Sequence, residues 1–264
     1  MTASPRQDAT PLHEGLVLQD WPTVVTAARQ RRYHAAADVD GALFGDQVDL
    51  SVLANDTILA TRYLKTEAVD GLHAGQRMRQ SEPVHLDEAL TLKGRIGAVR
   101  PTPRGSFVTF AFDFVRADGG VPLRGELLSF RVDAAAARER DAAAAATPGE
   151  ADDAVLLARK PLTPDRVAAY SHEFPDYLVH FDPAAAASVG LRAPVAQGLM
   201  SFTWMMEVLA RRGLPPRLDI EASFRRPIFW DDEVRILARG DRELLVATAQ
   251  GGVCSTAVLH TAAG

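Results

Sequence analysis

The chain has 264 residues, 47% of them hydrophobic, with 29 Lys and Arg against 34 Asp and Glu and a formal net charge of −5. Such a chain can bury a core without disulfides or structural metal, and wholesale disorder is excluded. The single cysteine, Cys254, excludes a disulfide framework and a cysteine-rich zinc site, and the absence of a Lys/Arg cluster argues against a nucleic-acid partner.

Residues 1–15 are polar with scattered proline and contain no apolar stretch, so no signal peptide is read there. The longest apolar run, Val195 to Met206, falls short of the ~20 residues that span a bilayer. The expectation is a soluble, cytoplasmic protein without a membrane partner.

The first helix-like apolar segment runs from Leu50 through Ile58 and Leu59 to Tyr63. Beyond Pro83, the alternating runs Leu90–Ile96 and Phe107–Val115 predict strands, and the turn at Ala117–Gly120 separates them from a third, Leu127–Val132. Residues 133–154 are rich in Ala, charge, Pro and Gly and lack aromatics. They read as a linker, helical in part, between a unit at 15–132 and a unit at 155–264.

In the second unit, residues 196–210 form a helix that is apolar nearly all round, and Met200, Trp204, Met205 and Met206 are assigned to the core. Three strands follow, Glu233–Ala238, Glu243–Ala249 and Val253–His260, with Cys254 as a small core residue in the last.

The two units resemble each other. The run from Glu82-Pro83 to Leu92 aligns with Arg226-Pro227 to Ile236, matching proline, acidic pair and apolar alternation. Asp118-Gly119-Gly120-Val121 likewise matches Gln250-Gly251-Gly252-Val253, and each unit has its apolar helix some twenty residues before its proline. Three features in the same order indicate duplication of a small α+β module. A long buried helix wrapped by an antiparallel meander, present twice, predicts a double hotdog.

Chemistry concentrates ahead of the second helix. Thr163-Pro164-Asp165 is a helix start, and His172, Glu173, Asp176, His180 and Asp182 follow within eleven residues, a dense set of proton-transfer groups. His34, His73, His85 and His260 lack companions at metal-ligand spacing and receive no role. No Gly-rich phosphate loop or Gly-x-Ser-x-Gly elbow is present, so no cofactor is expected.

The segment from Tyr170 to Ala186 resembles the hydratase motif of the MaoC-like (R-specific enoyl-CoA hydratase) family. His180-Phe181-Asp182-Pro183 is similar to that family's His-x-Asp-Pro, and Pro194 to Met200 is similar to its Pro-Ile-Ala-His-Gly-Met. Phe224 to Asp232 resembles its Phe-x-x-Pro-Val-x-x-Gly-Asp. The resemblance implies a hydratase or dehydratase acting on an acyl thioester carried by CoA or acyl carrier protein. It implies His180 as catalytic, with Asp176 or Glu173 as the second acid or base, and Tyr170, Gln197 and Gly198 as substrate-binding. Gly198 matches the helix-terminal amide that faces the thioester oxygen. The chain departs from the family at Pro175, which stands where the catalytic Asp belongs, and at Gln197, where the family has His. Those departures keep two alternatives open: a non-catalytic thioester-binding or assembly subunit, and a hotdog thioesterase. A homodimer is also left open.

Overall fold

The computed structural model describes residues 11–64, 69–132, 151, 153–249 and 252–263. The linker read at 133–154, with its helical part, lies outside them except for residues 151, 153 and 154.

The first half contributes β1 (Trp21–Val24), α1 (Ala27–Ala37), α2 (Leu50–Leu59), β2 (Val69–Gln80), β3 (Ala89–Thr102), β4 (Gly105–Val115) and β5 (Leu123–Val132). The second contributes β6 (Val155–Pro161), α3 (Pro164–Tyr170), α4 (Pro183–Ser188), α5 (Gly198–Arg211), β7 (Arg217–Phe224), β8 (Glu233–Arg239), β9 (Glu243–Thr248) and β10 (Val253–Ala263). All ten strands form one antiparallel sheet in the order β1-β3-β4-β5-β2-β7-β10-β9-β8-β6.

That order is a repeat turned about its centre. In each half a meander of three strands is joined by the half's own second strand, and a short strand closes the outer edge. The halves meet where β2 pairs with β7, from Gly75 opposite Ser223 to Gln80 opposite Leu218. Against this sheet lie α2 and α5, packed on one another, and one apolar core runs through both halves. The architecture is the double hotdog, an α+β fold.

Local sequence accounts for the elements. In β3 and β4 inward positions such as Leu92, Ile96, Phe110, Phe112 and Phe114 are buried while their neighbours are not, the period-two pattern of a sheet with one covered face. Helix α5 is buried from Leu199 to Ala210, and the side chains of Met200, Trp204, Met205 and Met206 are almost wholly inaccessible. The Trp204 indole donates to the carbonyl of Ala37 at 2.8 Å, so the buried ring leaves no orphan N–H. Helix α2 is shorter than its apolar run: it ends at Leu59, and Tyr63 lies in the turn beyond, 43% exposed.

The repeat extends further than the proline motif. Helices α1 and α3 begin at Thr26 and Thr163, whose side chains accept the amides of Arg29 and Arg166. Seven residues past each threonine stands a fully buried tyrosine, Tyr33 and Tyr170, and the two rings meet edge to face at 4.9 Å. The long helices begin in matching ways too. Val48 N–H donates to Val84 O and Ala196 N–H to Ile228 O, both at 2.8 Å, which makes Asp49 and Gln197 equivalent N-caps of α2 and α5.

Candidate active site

The chain from α3 to α5 makes a short excursion over the sheet and returns to the start of the buried helix. Leu178–His180 form a single 3-10 turn, and Asp182 caps α4 through the Ala184 amide at 2.8 Å, with Pro183 at the first helical position. Val195 then bridges to Phe229 and receives two tethers from the turn. Its amide donates to Val179 O at 3.1 Å, and its carbonyl accepts from His180 Nδ1 at 2.7 Å.

That last bond fixes the chemistry of the ring. A carbonyl can only accept, so Nδ1 carries the proton and Nε2 presents the lone pair of a neutral imidazole. Burial pushes the His180 pKa below its ordinary value, and the Val195 bond opposes the shift only in part. The ring is therefore an unprotonated base near neutrality, two residues in sequence from Gln197 through its partner Val195.

Gly198 opens α5 against the ring of Phe224. A Cβ built there lies 2.7 Å from that ring, so the glycine permits a backbone approach no other residue allows. The Gln197 side chain makes no capping bond, and its amide nitrogen and oxygen are both buried without a partner.

The other sequence candidates stand elsewhere. Tyr170 is sealed in the core, its hydroxyl 2.7 Å from Thr203 Oγ1, which in turn donates to Leu199 O at 3.0 Å and contacts Ser51 Oγ at 2.9 Å. Glu173 is taken by Arg29 of α1: Nε to Oε1 and Nη2 to Oε2, each 2.8 Å. The same guanidinium makes two 3.0 Å bonds to Asp56 of α2, whose Oδ2 also accepts from Thr23. Burial raises the Glu173 carboxyl, but the bonds and charge of Arg29 outweigh it and hold the group below its usual range. Asp176 is 77% exposed and pairs with Arg62, which also donates to Glu173 O at 3.2 Å. Among the described residues neither carboxylate bonds to His180. The structure thus ties His180 to Val195, two residues before Gln197 and three before Gly198, and holds Glu173 and Asp176 on arginines of the first half.

Arg29 and Arg62 were not legible as parts of this region, because their partners lie more than a hundred residues away in sequence. Ser171 was likewise passed over; its hydroxyl is buried without a partner one residue past Tyr170.

No family profile matches the sequence, and no curated protein matches it. Solved structures do. HtdX from Mycobacterium tuberculosis superposes with a TM-score of 0.69 at 18% identity, covering 92% of this chain and 98% of that one. A MaoC-like dehydratase from Phytophthora capsici gives 0.68 at 16% identity, with 94% and 97% covered. The chain has the fold of the MaoC-like dehydratases. An acyl-ACP thioesterase from Bacteroides thetaiotaomicron shares the architecture more distantly, at a TM-score of 0.58 and 9% identity over 92% of this chain and 96% of that one. Within this MaoC-like fold the excursion from α3 to α5 occurs once with its His180 turn intact. In the first half Phe44 ends the corresponding 3-10 turn, and the imidazole found there, His85, reaches the Asp46 side chain at 3.1 Å rather than a main-chain carbonyl.

Proposed function

We propose that this protein is a hydro-lyase that adds water to, or removes it from, an acyl thioester of CoA or acyl carrier protein. The observation that carries the reading is the His180–Val195 bond. It presents Nε2 as a half-buried neutral base and ties that base to the segment that begins α5. In the hydration direction Nε2 takes a proton from water as the water oxygen bonds to the β carbon. The π electron pair moves onto the thioester carbonyl, whose negative oxygen faces the Gly198 amide at the positive end of α5. The proton then returns from the imidazolium to the α carbon, and the enolate collapses to the 3-hydroxyacyl thioester. In this reading Glu173 and Asp176 anchor the loop and move no proton.

The likeness to MaoC-like dehydratase structures supports the reading at the level of the fold. Among the described residues no carboxylate bonds to His180, which favours one other reading, a subunit that binds acyl thioesters without turnover. A panel of short, branched and dicarboxylic enoyl-CoA substrates separates them. Hydration by wild type, lost in His180→Ala, is the expected result. Tight binding with equal inertness of wild type and variant overturns the hydro-lyase reading, and release of free thiol replaces it with thioester hydrolysis.

A further inference from the structure

The two halves begin their long helices with the same device, and only in the first are its members bonded to one another, although His34 Nδ1 there is also buried without a partner. At the start of α2, Asp49 Oδ1 accepts the Ser51 amide at 2.8 Å and Oδ2 lies 3.0 Å from His34 Nε2. The Asp49 amide donates to Gln30 Oε1 at 2.8 Å. His34, Asp49 and Gln30 are all buried. The positive end of α2 is therefore already occupied by the chain's own Asp49 side chain, which is braced by the His34 imidazole.

The second half has none of these braces. Counted from the capping threonines Thr26 and Thr163, Gln30 corresponds to Val167 and His34 to Ser171; counted from the matching bridges, Asp49 corresponds to Gln197. Valine offers no acceptor to the cap amide, serine carries no charge, and the Gln197 carboxamide makes no capping bond. Ser171 Oγ, Gln197 Nε2 and Gln197 Oε1 are left buried with no partner, on side chains of residues 0% and 8% exposed. Folded chains leave few such atoms, because each loses its bonds to water and gains nothing in return. Three of them belong to two residues whose counterparts bond each other in the first half, at the end of a fourteen-residue helix.

The geometry points to Ser171 and Gln197 as a pair that hydrogen-bonds the oxygen functions of the acyl group, with Ser171 a substrate-contacting residue that acts alongside the helix-terminal amide. The first half holds no second copy of this pair because His34 and Asp49 fill its place. The inference rests on the acyl-thioester reading above and adds a specificity to it. A site whose buried donors and acceptors lack internal partners favours a 3-hydroxyacyl thioester over its saturated analogue, since the analogue leaves those groups unpaired.

The test measures binding of 3-hydroxybutyryl-CoA and butyryl-CoA by calorimetry to the full chain, to Ser171→Ala and to Gln197→Leu, together with Tm. Wild type is expected to prefer the hydroxyacyl ligand by about tenfold or more. Each variant is expected to lose most of that preference while its Tm holds or rises, because an orphaned buried polar group has been removed. A second variant carrying S171H and Q197D installs the first half's pair and is expected to bind neither ligand while staying folded. If the single variants keep the preference, or lose stability, the two groups have partners within the protein and the inference falls, even though wild type binds. If wild type binds neither thioester, the functional reading itself fails and this one with it.

Discussion

Replacing Arg29 by Met probes the clamp that joins the halves. The guanidinium is 16% exposed and lies between Asp56, whose side chain is 3% exposed, and Glu173, at 19%. Removing it leaves two carboxylates near one another with their four hydrogen bonds to it lost. Breaking a buried pair by deleting one partner costs about 3–5 kcal/mol, and the partial exposure on the Glu173 side reduces this to about 2–4 kcal/mol. For a chain of this size that is a fall in Tm of roughly 5–15 °C. The loss depends on pH with a definite sign. The Glu173 carboxyl is held low by Arg29, so its stabilisation is present above the unfolded pKa and disappears as pH falls through the folded one. Burial already raises the Asp56 carboxyl despite Arg29, and without the cation it rises further, so the variant is penalised most where that group would be ionised. Urea unfolding of wild type and Arg29→Met at pH 7.5 and pH 5 is the assay. The gap between them is expected to narrow at the lower pH, and adding Asp56→Asn and Glu173→Gln to the variant is expected to recover part of it. A deficit below about 1 kcal/mol at pH 7.5, or one that stays constant across the range, refutes the reasoning.

Two further outcomes follow from the geometry of the site. Because burial lowers the His180 pKa, hydration activity is expected to stay flat through neutrality and to fall only on acidification below the ordinary histidine range of about 6.5; a rate that halves near pH 7 or above contradicts the assigned tautomer and base. Gly198→Ala puts a methyl 2.7 Å from the Phe224 ring and is expected to cost about 1–3 kcal/mol in thermal unfolding, relieved when Phe224→Leu is added. An unchanged Tm in the single variant would show that the ring moves aside freely.

The sequence made some parts of this fold legible and hid others for physical reasons. The strands β3 and β4 declare themselves through period-two burial, β8, β9 and β10 as short apolar runs buried over consecutive residues, and α5 through an apolar surface on nearly every side. Strand β2 did not, because Gly71 and Gly75 and two register shifts break its alternation and its partners are β5 and β7, distant in sequence. Helix α1 is polar in sequence and gives no element to predict, yet Tyr33 and His34 are buried in it; His34, given no role from spacing, is the brace of Asp49. The capping threonines were a usable signal: Thr26 and Thr163, each with a tyrosine seven residues on, extend the repeat into a region where the proline motif is silent. His180 and Gly198 are singled out by the likeness of their segments to the hydratase motif. The anchoring of Glu173 and Asp176 could not be read in this way, because it depends on arginines that the fold alone brings near.

The main-chain bonds between β2 and β7 have a consequence for how the molecule comes apart. Each half supplies the other with a covered sheet edge, a core neighbour for its long helix and, through Arg29 and Arg62, counter-charges for the loop before His180. Neither half can open without stripping backbone partners from the other, so calorimetry is expected to show one cooperative transition rather than two. Substitutions along the β2–β7 seam, far from the His180 turn, are therefore expected to lower the Tm of both halves together.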